Sequence, residues 1–223
     1  MIKVTLKEEI RTVAPRFIGA YLEAEVRNCP TPSALWEEIR KAAEDLRDKY
    51  DTETIKARPG ISATRNAYKA AGKDPSRYRP SCEQLARRIL QGKELYSIDL
   101  LVDLGNLISL VSGYSVGVID RDKVEGDTIE LGIGCEGEPY EGIGRGPLNI
   151  ASMPVYRDDR GAFATPTSDS VRTMCSATTR HVLIIINGYD GDTAAVEAAA
   201  NRASRLLREY GESDGGMVQL IGG

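Results

Sequence analysis

The pattern of apolar and polar positions divides the chain into a helix-rich first half and a strand-rich second half. Apolar residues at helical spacing predict amphipathic helices over 32–50 and 60–71, and others that begin near Ser81, Ser97 and Asp192. Alternating or short apolar runs predict strands over 2–6, 17–26, 115–119, 128–133, 152–156, 162–165, 181–187 and 217–221. Together these elements predict a mixed α/β (α+β) fold, with a largely antiparallel sheet and covering helices.

Residues at the ends of the helices set their predicted boundaries. Thr31 followed by Pro32 is typical of a helix start, because a hydroxyl can cap the first turn and proline fits its first position. Ser81 and Gln84 have the spacing of a capping box. Gly113 should end the next helix, whose apolar residues cover most of its surface. Such a helix is usually central and buried.

Length and composition favour one globular domain over residues 1–223. Of the residues, 41% are hydrophobic and 28% are charged, which excludes a disordered or collagen-like chain. The first nine residues carry charges where a signal peptide needs an apolar stretch. The longest aliphatic run, residues 182–186, is too short to span a bilayer. We therefore expect a cytoplasmic protein with no membrane partner.

Cysteine and histidine usage argues against a metal site. The four cysteines lie far apart in the sequence, without a Cys-x-x-Cys pair, and the chain has a single histidine, His181. A zinc site needs a closer set of these ligands. Isolated thiols suit a reducing compartment. We expect no metal and no cofactor.

One segment carries a local excess of positive charge. Residues 60–93 hold eight basic and two acidic residues, a balance of +6 in a chain whose net charge is −4. A basic patch of this kind suggests a phosphate-bearing partner, and Tyr68 and Tyr78 within it could stack on a nucleic-acid base. The alternative is a solvated helical face whose cations pair with the acidic remainder of the chain.

Two glycine-containing motifs resemble catalytic signatures without matching their context. The stretch 113–117 reads G-x-S-x-G around Ser115, and Asp120 and His181 follow in the order of a hydrolase triad. The predicted elements run from helix to strand, the reverse of a nucleophile elbow, so a helix end built of small residues is favoured over a serine hydrolase. The stretch 142–146 lacks the Lys-Ser/Thr of a phosphate loop, so it predicts a hairpin turn.

Asn106 is an amide inside the most apolar predicted helix. An amide in such a position is costly unless it finds a hydrogen-bond partner. Either it bonds to a neighbouring segment of the protein, or it lines a pocket and orients a ligand.

Several motifs resemble one domain of a tRNA synthetase. They are Arg65-Asn66-Ala67-Tyr68-Lys69, the block Gly72-Lys73-Asp74-Pro75-Ser76-Arg77-Tyr78-Arg79-Pro80-Ser81, and Leu85-x-x-Arg88. They resemble stand-alone relatives of the editing domain of the phenylalanyl-tRNA synthetase beta chain. This editing domain consists of the fused third and fourth modules of the beta chain. The stretch 102–106 with Gly113 and Asp120 resembles that domain's V-D-x-x-N … G-x-P-x-H-x-x-D pattern, and Gly137-Glu138 resembles its Gly-Glu turn. The resemblance covers residues 58–187, with 1–57 and 188–223 as extensions.

The resemblance implies a pocket for an amino-acid moiety that tRNA carries. Asn106 falls on the family's pocket asparagine, and Glu138 and Thr178 are further candidates for the pocket wall. The residues expected to bind RNA are Arg65, Tyr68, Lys69, Lys73, Arg77 and Arg79. Gly117 stands where the family has a histidine, so no catalytic residue is assigned. Ser115 falls on the family's proline, which argues against it as a nucleophile.

Two functions therefore remain open from the sequence. The chain is either a free-standing relative that binds aminoacyl-tRNA or its amino-acid moiety, with or without hydrolysis of mischarged tRNA in trans, or a non-catalytic module that binds an amino acid or another small ligand without RNA. The expected partners are tRNA or aminoacyl-tRNA and a small amino-acid ligand, with no DNA.

Overall fold

The computed structural model describes residues 2–93 and 95–222. Its helices are α1 (Glu8–Val13), α2 (Ser33–Lys49), α3 (Pro59–Ala70), α4 (Ser81–Leu90), α5 (Leu100–Ser112) and α6 (Thr193–Tyr210). Its strands are β1 (Lys3–Leu6), β2 (Ile18–Glu25), β3 (Ser115–Asp120), β4 (Thr128–Ile133), β5 (Glu141–Gly142), β6 (Gly146–Pro147), β7 (Pro154–Asp158), β8 (Gly161–Ala164), β9 (His181–Gly188) and β10 (Met217–Ile221). Within this part of the chain, no helix is long and apolar enough to cross a bilayer.

The strands form two four-stranded sheets and a short hairpin. One sheet has the order β10-β2-β9-β3 and is antiparallel throughout. The other has the order β1-β4-β7-β8, in which only β1 and β4 run parallel. Strands β5 and β6 form the hairpin that the 142–146 turn predicts. The predicted mixed α/β fold with largely antiparallel pairing is confirmed, and its strands divide between two sheets.

Strand β9 lies at the centre of the fold because both of its faces are apolar. Ile184 and Ile186 pack with α2, α5 and α6 on one side. Leu183 and Ile185 pack on the other side against residues of the second sheet, such as Ile129. A strand buried on both faces needs a continuous rather than an alternating apolar sequence, which is what residues 182–186 provide.

Helix α5 is central, as its composition predicts, and packs closely against β3. The Asp99 side chain caps it by accepting the N–H of Val102, so the helix begins at Leu100 rather than at Ser97. Gly113, at φ 82°, ends it in the left-handed region that favours glycine. At Gly105 an added Cβ would lie 2.4 Å from Cγ2 of Val118, so only glycine allows this approach.

The side-chain cap predicted at Asp192 is confirmed, since its carboxylate accepts the N–H of Ala195 at the start of α6. Those predicted at Thr31 and Ser81 are wrong, because hydrogen bonds elsewhere in the fold replace them. The Thr31 hydroxyl donates to Asp103, and Pro32 rather than Thr31 precedes α2 without a side-chain cap. Gln84 donates from Nε2 to the carbonyl oxygens of Arg79 and Thr167, and α4 also lacks a side-chain cap. The short helix α1 was not predicted.

A buried carboxylate ties α3 to α4. The Glu83 side chain is fully buried, and its two oxygens lie 2.8 Å from Nη1 of Arg65 and 2.8 Å from Nε of Arg87. The Nε of Arg79 lies farther away, at 4.0 Å. A buried charge is tolerated only when such partners neutralise it. Glu83 therefore fixes the positions of several residues of the basic segment.

We expect the substitution Glu83→Gln to lower the free energy of unfolding by about 3 kcal/mol, because it leaves two partly buried arginines without their counter-charge. Chemical denaturation measures this loss. The matched control is Glu37→Gln, which removes an exposed ion pair with Arg40 and should cost less than about 1 kcal/mol. A loss no larger for Glu83→Gln than for the control would contradict the role of Glu83.

Candidate functional site

A cavity of about 710 Å³ opens beside the outer edge of β3. Its walls come from α4, the segment that follows α4, the first turns of α5, strand β3 and the loop over residues 167–175. This volume lies within the range of ordinary small-ligand sites.

The side-chain amide of Asn106 lines this cavity and is half-buried. Within the described part of the chain it makes no hydrogen bond with the protein, so it does not serve the interhelical bond that was one interpretation of the sequence. It is positioned by the close packing of Gly105 on β3. An unpaired amide on a cavity wall is free to bind a ligand.

Asp169 is a second polar group on the cavity wall, and the sequence analysis missed it. Its Oδ2 accepts the backbone N–H of Val118 at 3.3 Å. Burial raises the pKa of the Asp169 carboxyl to about 7. In the described part of the chain it forms no ion pair that would hold it ionised. A carboxyl with this pKa can take up and release a proton near neutral pH.

Gly117 leaves open the space beside Asp169. A Cβ at position 117 would lie 3.3 Å from Oδ1 of Asp169, and its nearest neighbours would all be atoms of that carboxyl. The resemblance implies a histidine at this position. This chain has glycine there, with the Asp169 carboxyl beside it.

Apolar side chains form another part of the cavity wall. Leu85, Val102, Val116 and Val118 line the interior. Four of the lining residues are large apolar side chains that are exposed to solvent: Tyr96, Ile98, Ile143 and Met174. A ligand with an apolar part would bury this surface.

Cations outnumber acidic groups along the cavity. The basic lining residues are Arg79, Arg87, Arg88, Lys93 and Arg145, and the acidic ones are Asp99 and Asp169. Arg87 forms an ion pair with Glu83, and the Asp99 side chain caps α5. Arg145 donates to Gln84 at the mouth, and Arg88 lies 5.1 Å from the ring centre of Tyr96. The mouth is therefore positively charged.

The structure divides the six residues expected to bind RNA into two groups. Tyr68 is fully buried, and its hydroxyl bonds with Thr167 at 2.8 Å. Lys73 is buried, and its ammonium donates to the carbonyl oxygens of Asn149 and Ala151. Together with Arg65, which pairs with Glu83, these residues hold the fold together.

The other three expected RNA ligands, Lys69, Arg77 and Arg79, are exposed. Of these, only Arg79 lines the cavity.

The two additional candidates for the pocket wall, Glu138 and Thr178, are not brought to Asn106. Glu138 accepts two hydrogen bonds of 2.7 Å from Arg157. Thr178 is exposed and bonds with Ser176. Neither lines the cavity.

The residues of the hypothetical hydrolase triad do not contact one another. The Ser115 hydroxyl donates to Sγ of Cys82, and Asp120 accepts a hydrogen bond from a threonine. His181 pairs with Asp122 at 2.9 Å. Each group has a different partner, so Ser115 has no base to activate it.

Most of the chain, including both polar groups of the cavity wall, matches one known protein family. Residues 63–212 match the B3/4 domain, and this span includes Asn106 and Asp169. No curated protein sequence matches the chain.

Among solved structures, the chain is similar to an N-terminal fragment of the phenylalanyl-tRNA synthetase beta-subunit from Pyrococcus horikoshii. The TM-score is 0.49 and the sequence identity 14%, over 97% of this chain and 50% of that one. The chain thus spans half the length of that fragment. Because the family match covers well over half of the sequence, the chain belongs to the B3/4 domain family.

Proposed function

We propose that this protein binds the 3′ end of an aminoacyl-tRNA and hydrolyses the ester that joins the amino acid to the RNA. Its B3/4 domain relates it to the beta chain of phenylalanyl-tRNA synthetase, and so to tRNA aminoacylation. One observation carries the proposal. A single cavity combines the unpaired amide of Asn106, the Asp169 carboxyl and a positively charged mouth.

In this proposal Asp169 is the general base. Its carboxylate takes a proton from a water molecule, whose oxygen attacks the acyl carbon of the ester. The tetrahedral intermediate collapses as the bond from the acyl carbon to the ribose oxygen breaks. The ribose oxygen then takes the proton back from Asp169, which leaves a free amino acid and a tRNA with a free 3′-terminal ribose.

Asn106 and the apolar wall would hold the amino-acid part of the substrate. The Asn106 amide carries both donors and an acceptor, so it can bind the α-amino group or the acyl oxygen. The side chains of Val102, Val116 and Val118 offer an apolar surface beside it. Holding the ester next to a base supplies much of the rate gain for such an activated bond.

The cations at the mouth would bind the phosphates of the tRNA end. Arg79, Lys93 and Arg145 are exposed and line the cavity. Contacts between cations and phosphates release counterions, so they make binding depend on salt. We also propose that residues 1–223 form a single domain, because β2 and β10 lie in the same sheet as β3. We propose the cytoplasm as its location.

A second candidate function is the binding of a free amino acid without RNA. It is favoured by the structural roles of Arg65 and Lys73, which leave fewer cations for phosphate than the sequence suggests. A ligand that binds only the folded protein raises its melting temperature. A rise with free amino acids, without any hydrolysis, would select this candidate.

We expect the protein to deacylate at least one member of a panel of mischarged tRNAs. Asp169→Asn removes the base with little change in shape and should lower the rate about 100-fold. Asn106→Ala removes about one hydrogen bond to the substrate and should lower kcat/KM about tenfold. Release of the labelled amino acid measures both effects.

The control for these variants is Glu138→Gln, which changes a carboxylate that does not line the cavity. Its rate should equal that of the wild type. Equal rates for Asp169→Asn and the wild type would contradict the role of Asp169, and a protein that deacylates no tRNA would contradict the proposed function.

The rate of deacylation should rise with pH and reach half of its plateau near pH 7. Only the ionised Asp169 can accept a proton, and its pKa is raised to about 7, so the active fraction is lost as pH falls below that value. The spontaneous hydrolysis of the ester must be subtracted at each pH. An identical step in Asp169→Asn would show that another group titrates.

Replacing cations that line the cavity should weaken tRNA binding more than replacing exposed cations elsewhere. The double variant Arg79→Ala, Lys93→Ala is compared with Lys69→Ala, Arg77→Ala, which removes the same charge away from the cavity. The first should reduce the slope of log K against log salt by about 2, one for each phosphate contact. If the two double variants weaken tRNA binding equally, the proposal that tRNA phosphates bind beside the cavity is contradicted.

A further inference from the structure

The outer edge of β3 borders the cavity, which Val116 and Val118 line. Strand β3 pairs with β9 on one side, without a shift in register from Ser115 to Asp120. On its other side no named strand pairs with it in the described residues, and Ile119 forms an isolated antiparallel bridge with Met174. In an antiparallel pair, successive residues alternate between bonding to the partner strand and pointing away from it. The N–H of Val118 points away from β9, because it donates to Asp169.

The N–H of Val116 therefore points in the same direction, two residues along the strand. The carbonyl oxygen of Ser115 fits this alternation, since it points toward β9 and accepts the side-chain amide of Asn187. Val116 lines the cavity, and in the described residues its outward N–H has no partner. Edge strands leave such N–H groups unpaired, so this one is available to donate to a ligand in the cavity.

We propose that the backbone N–H of Val116 stabilises the negative charge that develops on the acyl oxygen during hydrolysis. This inference rests on the proposed function and names the group that completes its chemistry. When the water oxygen bonds to the acyl carbon, the electron pair of the carbonyl double bond moves onto the acyl oxygen. The Val116 amide keeps its proton and donates a hydrogen bond to that oxygen until the pair returns and the bond to the ribose oxygen breaks.

The spacing along β3 suits this arrangement. Amides two residues apart in a strand are about 6.6 Å apart, and the carboxyl of Asp169 is bonded to the second of them. The base must lie within about 3 Å of the water, and the N–H donor within about 3 Å of the oxyanion. The distance between the two amides therefore leaves room for the water and the reacting carbonyl group. Gly117, between the two amides, puts no side chain beside the carboxyl.

The test is the substitution Val116→Pro, which removes this N–H. Proline is tolerated on an edge strand where the N–H does not bond to the neighbouring strand. The matched variant is Val116→Ala, which shortens the side chain and keeps the N–H. We expect deacylation by Val116→Pro to be about 100-fold slower than by Val116→Ala. Binding of a non-hydrolysable, amide-linked aminoacyl-adenosine should differ less than about threefold, because the charge develops only in the transition state.

Equal deacylation rates for the two variants, with an active wild type, would overturn this inference and leave the proposed function standing. A wild type that deacylates no tRNA would overturn both. If Val116→Pro does not fold, as judged by its melting curve, the wild-type amide is observed by NMR. A phosphonate analogue of the aminoacyl ester should then move the resonance of the Val116 amide proton downfield. An unchanged chemical shift of this proton would overturn the inference.

Discussion

The outer edge of β3, which no other strand covers in the described residues, is the constraint on which the candidate site depends. On such an edge, the N–H and carbonyl groups of every second residue point away from the neighbouring strand and need other partners. Here the 167–175 loop covers part of that edge, where Asp169 accepts the N–H of Val118. Val116, two residues before this contact, lines the cavity together with Val118. The same geometry therefore positions the carboxyl and exposes the backbone beside it.

Close packing and charge distribution complete the site. The contact of Gly105 with Val118 brings α5 against β3 and places Asn106 on the cavity wall. Buried Glu83 holds two arginines of the basic segment within the fold, while other cations of the same segment lie at the mouth of the cavity. An acidic chain can thus present a positive surface at one place.

Local sequence patterns predicted most of the fold and only part of the site. Helices and strands depend on apolar spacing, and the apolar run of β9 indicated a central strand. The caps at Thr31 and Ser81 were wrong because tertiary hydrogen bonds compete with local ones. Asn106 was noticeable as an amide in an apolar helix. Asp169 carried no such signal, since its partner Val118 is 51 residues away and only the folded chain joins them. The burial of Tyr68 likewise depends on distant contacts.

A crystal structure of the protein with a non-hydrolysable, amide-linked aminoacyl-adenosine tests the proposed site most directly. We expect the aminoacyl group to lie in the cavity beside β3, with its carbonyl oxygen within hydrogen-bond distance of the Val116 N–H. The Asp169 carboxyl should lie on the opposite side of the acyl carbon, and the adenosine should point toward the positively charged mouth. An analogue bound elsewhere on the protein, or bound in the cavity with its carbonyl turned away from β3, would contradict the proposed site.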